Sequence, residues 1–301
     1  MPTQKADVSN LADISKLKEM SKRLRINSLV AIYHAGSGHP GGALSAADLI
    51  SYICGCLLAW PVSNGNDLAR DRFVLSKGHS CPVLYAAAAE FGLIPHRALL
   101  TFRKLGSPLQ GHPHVLDAPW VETSTGSLGQ GFSAAIGMAM GLRYQRSHAR
   151  VYAMLGDGEM QEGEVWEGAM CAGHYKLDNL CAIVDYNKLQ SDDSNENIMG
   201  LAPLRAKWEA FRWHVIEIDG HDFNQIDAAF TEARENRAKP TMIIANTLKG
   251  RGVSFMEASP LWHGSVKLRD EELATALREL GVSGHHVGGY LDGSIWQNDS
   301  R

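Results

Sequence analysis

Two positions set the first chemical problem. The apolar run 151–155 ends in Gly156-Asp157-Gly158, and the run 180–184 ends in Asp185-Tyr186-Asn187-Lys188-Leu189. Asp157 and Asn187 lie 30 positions apart, the length of one β-α-β unit. If the two runs are parallel neighbours joined by a right-handed crossover, their ends stand ~5 Å apart. A carboxylate and an amide oxygen there suit a hard divalent cation, Mg²⁺ or Ca²⁺, with the remaining ligands from phosphate and water. Gly156 and Gly158 permit a tight turn, and the N-terminus of a helix over 161–174 would offer free N–H groups to phosphate. The pattern predicts a diphosphate held through a metal. A lone Asp at such a turn can equally be a helix cap; Asn187 at the full β-α-β spacing weighs against that.

Histidines form a second group. Ser37-Gly38-His39-Pro40-Gly41-Gly42, Lys77-Gly78-His79, Gly111-His112-Pro113 and Trp262-His263-Gly264 each set a His beside Gly in a loop. Any one of these is ordinarily a surface or satisfied core residue. Four with the same flanks point to near-neutral imidazoles that hydrogen-bond a substrate hydroxyl, move protons or touch phosphate. The loop 124–131, STGSLGQG, is a weaker signal. It does not match Gly-x-Gly-x-x-Gly and follows no convincing strand, which disfavours a dinucleotide site and leaves tight helix packing as its plain reading.

These residues need a scaffold that brings loop ends together. Short apolar runs at 73–75, 151–155, 180–184, 214–218 and 241–245 suit buried parallel strands. Helical patterns lie near 45–58, 82–91, 133–145, 161–174, 203–211 and 225–236, and an opening stripe joins Leu11, Ile14, Leu17, Met20 and Leu24. The alternation predicts an α/β fold, a parallel sheet flanked by helices on both faces. Ligands of such sheets bind beyond the carboxyl ends of the strands. One domain is expected over 1–282, with the Gly- and His-rich 283–301 as a flexible tail.

Composition narrows the function classes. The 301 residues are 45% hydrophobic and 21% charged, which excludes wholesale disorder. A net charge of −4 argues against nucleic acid as a partner. No unbroken apolar run approaches ~18 residues, so no membrane span is expected; the greasiest stretch is 53–60. Met1–Asn10 is polar with no signal-peptide core. Five cysteines without a C-x-x-C pair read as reduced thiols in the cytoplasm.

Taken in order, the motifs SGHPGG (37–42), DRFVLSKGH (71–79), GHP (111–113), TGSLGQG (125–131), GDGEMQEGEVWE (156–167), LDNL (177–180), DYNKLQ (185–190), DGHD (219–222) and KGRGVSFME…WHG (249–264) resemble the N-terminal, diphosphate-binding half of a transketolase. The resemblance implies the thiamine-diphosphate-binding fold, with thiamine diphosphate and Mg²⁺ (or Ca²⁺) as cofactors. It implies that Asp157, Asn187 and the Leu189 carbonyl hold the metal, that Gly158, His79 and His263 reach the diphosphate, and that Gly126 and Leu128 line the aminopyrimidine. His39, His112 and His263 would face the reacting carbons, with His112 near the donor's first hydroxyl and His39 assisting proton transfer. Glu162 would link the sites of two subunits, although a Glu in a helix's first turn is favourable by dipole alone. Two positions depart from the family pattern: DYNKLQ is followed by Ser191-Asp192-Asp193, where a Gly commonly stands, and Arg212 lies where a helix-ending Gly is usual.

In transketolases the Glu on the aminopyrimidine ring and the residues gripping the sugar phosphate lie on a second, pyrimidine-binding module, and this chain ends before it. The resemblance therefore implies one subunit of a split transketolase. Its C-terminal partner would carry the pyrimidine module, in a heterotetramer of two copies each, and the pair would move a two-carbon ketol unit between sugar phosphates. The alternatives are the equivalent subunit of a 2-oxoacid dehydrogenase or deoxyxylulose-phosphate synthase, which the histidine series disfavours, and a non-catalytic scaffold, which the complete metal and His positions disfavour.

Overall fold

All five apolar runs become strands, each extended by a residue or two: β1 (Arg72–Leu75), β2 (Val151–Gly156), β3 (Leu180–Tyr186), β4 (His214–Asp219) and β5 (Thr241–Asn246). They form one parallel sheet in the order β1-β2-β3-β5-β4. The computed structural model describes residues 13–59 and 69–297. Leu11 of the opening stripe, Trp60, the polar first ten residues and the last four lie outside the described residues.

The helices are α1 (Ile14–Ala35), α2 (Pro40–Tyr52), α3 (Cys81–Glu90), α4 (Gln130–Tyr144), α5 (Gly163–His174), α6 (Asn195–Met199), α7 (Leu204–Ala210), α8 (Phe223–Glu235), α9 (Asp270–Glu279) and α10 (Gly284–Leu291). Alternate strand residues feed opposite cores. Phe73, Leu75, Tyr152 and Met154 pack with α2, α3 and α8, whereas Val74, Val151, Ala153 and Leu155 pack with α4, α5 and α7. Burial on both faces is why the central strands read as unbroken apolar runs.

Two expectations change. Pro40–Leu57, which continues from α2 into one π-helical turn, has the length and mean hydropathy (1.2) of a membrane span, but 83% of it is buried inside the protein. Its apolarity serves the core between α1 and α3. The tail expected from 283 is folded up to the last described residues. α10 and the 3₁₀ turn Ser294–Trp296 bury Val287 and Trp296, and His34 Nε2 donates to the Tyr290 carbonyl at 3.0 Å. The Gly-rich composition masked four apolar anchors, Val287, Tyr290, Leu291 and Trp296, which pack on the cluster around α1 and α9.

Candidate active site

The carboxyl ends of β2 and β3 lie side by side, with Gly156 paired to Asp185. Just beyond, Asp157 Oδ1 accepts from Gly158 N at 2.9 Å and Oδ2 accepts from Lys188 N. Lys188 takes a left-handed φ of 69°, and Leu189 N donates to Asn187 Oδ1 at 3.1 Å. The Lys188 N–H thus ties Asp157 to the turn that carries Asn187 and Leu189. The helix expected from 161 begins instead at Gly163, after a 3₁₀ turn over Gly158–Gln161. The cause is Glu159, whose buried carboxylate folds back to accept from Gly156 N (3.0 Å) and Gly129 N (2.9 Å) and from the Ser76 hydroxyl. It ties the TGSLGQG loop to the strand ends.

Beneath this turn stands a buried charge pair that sequence reasoning missed. Asp185 (0% exposed) pairs with Lys77 (1% exposed) at the end of β1. Its carboxylate also accepts from Ser45 Oγ at 2.6 Å and from the Thr247 hydroxyl. Burial alone would raise its pKa, but the Lys77 charge and these hydrogen bonds hold it below the usual carboxylate range. Asp157, 3% exposed, is pushed up to about 6 by burial and then by Asp185. Its charge is under-compensated, as suits a cation ligand.

Lys249, after β5, is the second missed residue. Its ammonium donates to the Leu189 carbonyl and to His263 Nδ1, each at 2.7 Å, and burial lowers its pKa to about 8. Both lysines sit in Lys-Gly pairs inside the quoted motifs at strand ends, a signal that could have found them. The DGHD histidine has a positioning role. His221 Nε2 accepts from Leu248 N at 2.8 Å and Nδ1 donates to Asp48 at 2.7 Å, which fixes the loop carrying Lys249.

The four loop histidines converge. The ring centroid of His39 lies 5.3 Å from that of His79, 6.0 Å from His263 and 6.5 Å from His112, and His79 is 5.4 Å from His263. Burial first, then neighbouring cations, lowers all four pKa values, to about 4 for His39 and about 3 for His263. Each ring is thereby biased toward its neutral form. Gly126 has a φ of 149°, and a β-carbon there would meet the His112 ring at 3.0 Å, so the TGSLGQG loop closes against GHP only with glycine. Leu128 is half-buried beside it, whereas Glu162 is exposed at the start of α5.

The residues present fit an anionic cofactor with a cation. The hydroxyls of Ser80 and Thr125 are buried without a hydrogen-bond partner, each 2.7 Å from where a β-carbon would stand at Gly42 and Gly78. An acceptor brought within reach of these hydroxyls would satisfy them. Among the described residues no group of three or more His, Cys, Asp or Glu is placed to hold a metal ion by itself.

Residues 16–287 match the transketolase thiamine diphosphate binding domain. The chain belongs to the transketolase family. Rat transketolase is 44% identical over 252 residues, 83% of this chain and 40% of that protein. The 6-deoxy-6-sulfo-D-fructose transketolase subunit SqwG of Clostridium sp. (strain MSTE9) is 41% identical over 268 residues, 89% of this chain and 97% of that subunit. The crystal structure of Campylobacter jejuni transketolase aligns with a TM-score of 0.84 at 30% identity, over 95% of this chain and 48% of that one. The chain thus spans 40% of the rat transketolase and nearly all of a transketolase subunit.

Proposed function

We propose that this chain is the diphosphate-binding subunit of a two-subunit transketolase. With a partner carrying the pyrimidine module it transfers a two-carbon ketol unit from a ketose phosphate to an aldose phosphate. The observation that carries this reading is the convergence of the four loop imidazoles with the Asp157, Asn187 and Leu189 strand ends, bridged by Lys249, which donates to both the Leu189 carbonyl and His263. The near-complete coverage of a relative that is itself a subunit supports the division between two chains.

In this reading Asp157, Asn187 and Leu189 hold Mg²⁺ or Ca²⁺, and Gly158, His79, His263 and the Lys249 ammonium serve the diphosphate. Gly126 and Leu128 line the aminopyrimidine. Bound there, thiamine diphosphate supplies a carbon nucleophile and an electron sink for carbon–carbon cleavage. His112 and His263 orient the sugar's oxygens and move protons at them, and His39 hydrogen-bonds one of those oxygens. Lys77 and Asp185 hold the loop that presents Asn187. The exposed Glu162 reaches a second copy in a heterotetramer, and five free thiols suit the cytoplasm. The sugar itself is selected largely by the partner.

The test is cofactor binding to the assembled pair, followed by calorimetry with thiamine diphosphate and Mg²⁺. Asp157→Ala should abolish metal-dependent binding and ketol transfer together. A scaffold without catalysis would be indifferent to the change.

A further inference from the structure

His39 stands among the other three loop histidines with one ring nitrogen already engaged. Arg103 Nη2 lies 3.3 Å from His39 Nδ1, and Nη1 donates to Ser37 Oγ at 2.7 Å. A guanidinium has donors and no acceptor, so Nδ1 must accept and the ring proton must sit on Nε2. The guanidinium is itself held. It lies 5.4 Å from the centre of the Phe102 ring, and a β-carbon at Gly111 would stand 2.9 Å from its Nε. The other edge of the imidazole is kept clear by Gly264, where a β-carbon would stand 2.5 Å from Nε2.

We propose that Arg103 is a positioning residue that fixes His39 in its Nε2–H tautomer, so that the site meets a substrate oxygen with a hydrogen-bond donor and not with a base. The groups that face His39 are Arg103, His79, His112, His263 and Lys249, none of them anionic, so no carboxylate competes to draw the proton to Nδ1. A neutral N–H aimed at an oxygen whose negative charge grows during bond cleavage stabilises the transition state more than the ground state. That catalytic consequence rests on the transketolase reading above; the tautomer does not.

The experiment is a long-range ¹⁵N–¹H correlation spectrum of the whole chain labelled with [¹⁵N]histidine at neutral pH, with His39 assigned from its loss in His39→Gln. Expected is an unprotonated Nδ1 and a protonated Nε2. In Arg103→Met the averaged Nδ1 signal should move toward the protonated position and the imidazole should titrate at higher pH; Arg103→Lys should restore much of both. In the assembled enzyme Arg103→Met should lower kcat by about 10- to 100-fold with little change in KM. A wild-type His39 protonated at Nδ1, or a signal identical in wild type and Arg103→Met, overturns the proposal. If Arg103→Met fails to fold, the wild-type spectrum and Arg103→Lys decide. Failure of the transketolase reading would appear as absent ketol transfer with the tautomer intact.

Discussion

Replacing Lys77 by Met tests the buried platform under the site. Lys77 and Asp185 are 1% and 0% exposed, and the substitution keeps the side chain's length while removing the ammonium. Asp185 would keep neutral donors from Ser45, Thr247 and, at 3.5 Å, Asn187. These are present in both proteins and so offset nothing in the comparison. Leaving a buried carboxylate without its cation costs about 3–5 kcal/mol. At ~2–4 °C per kcal/mol for a chain of this size, the melting temperature should fall by roughly 10 °C. Adding Asp185→Asn should return most of the loss, because a buried pair replaced whole is close to neutral. The assay is urea and thermal unfolding followed by far-ultraviolet circular dichroism at pH 7.5, without cofactor. A single variant within ~1 kcal/mol of wild type, or a double variant as unstable as the single, would refute the reasoning.

Three further outcomes follow from the same geometry. His39 is held down to about 4 by burial and then by Arg103, below its ordinary ~6.5. Its share of stability is therefore present above pH ~6.5 and lost as pH falls through about 4. After discounting for its partial exposure this amounts to about 1–2 kcal/mol, and His39→Gln should flatten the urea-midpoint profile between pH 7.5 and 4; an unchanged slope would contradict it. Arg212 takes a left-handed φ of 68° after α7, so Arg212→Gly should stabilise by about 1 kcal/mol, and any loss of stability counts against this. Gly264→Ala places a β-carbon 2.4 Å from His39 Cδ2. It should displace that ring and lower ketol transfer by the assembled pair at least about tenfold while leaving the melting temperature within a few degrees; wild-type turnover would show that the contact does not matter.

The strands were legible because a sheet buried on both faces leaves unbroken apolar runs, and the strand-end rule then led directly to Asp157 and Asn187. Arg212 was legible as a departure, and its left-handed backbone shows why glycine is usual there. What stayed hidden depends on long-range placement. Lys77 follows β1 and Lys249 follows β5, and only the strand order decides that both face the β3 end. Glu159 reads as an ordinary first-turn acid until its carboxylate folds back onto Gly156 and Gly129. α9 carries Leu273, Ala276 and Leu277 at helical spacing, but it lies beyond the last chemical motif and before a segment whose glycines suggested a tail. In that segment a few well-placed apolar side chains outweighed the composition.

The split-transketolase reading is tested most directly by a reconstitution assay. Ketol transfer would be measured in thiamine diphosphate and Mg²⁺ with this chain alone, with a candidate pyrimidine-module partner chain alone, and with the two mixed in equal amounts. Turnover only in the mixture, abolished by Asp157→Ala in this chain, is the predicted result. Substantial turnover by this chain alone, or a mixture whose activity survives Asp157→Ala, would contradict it.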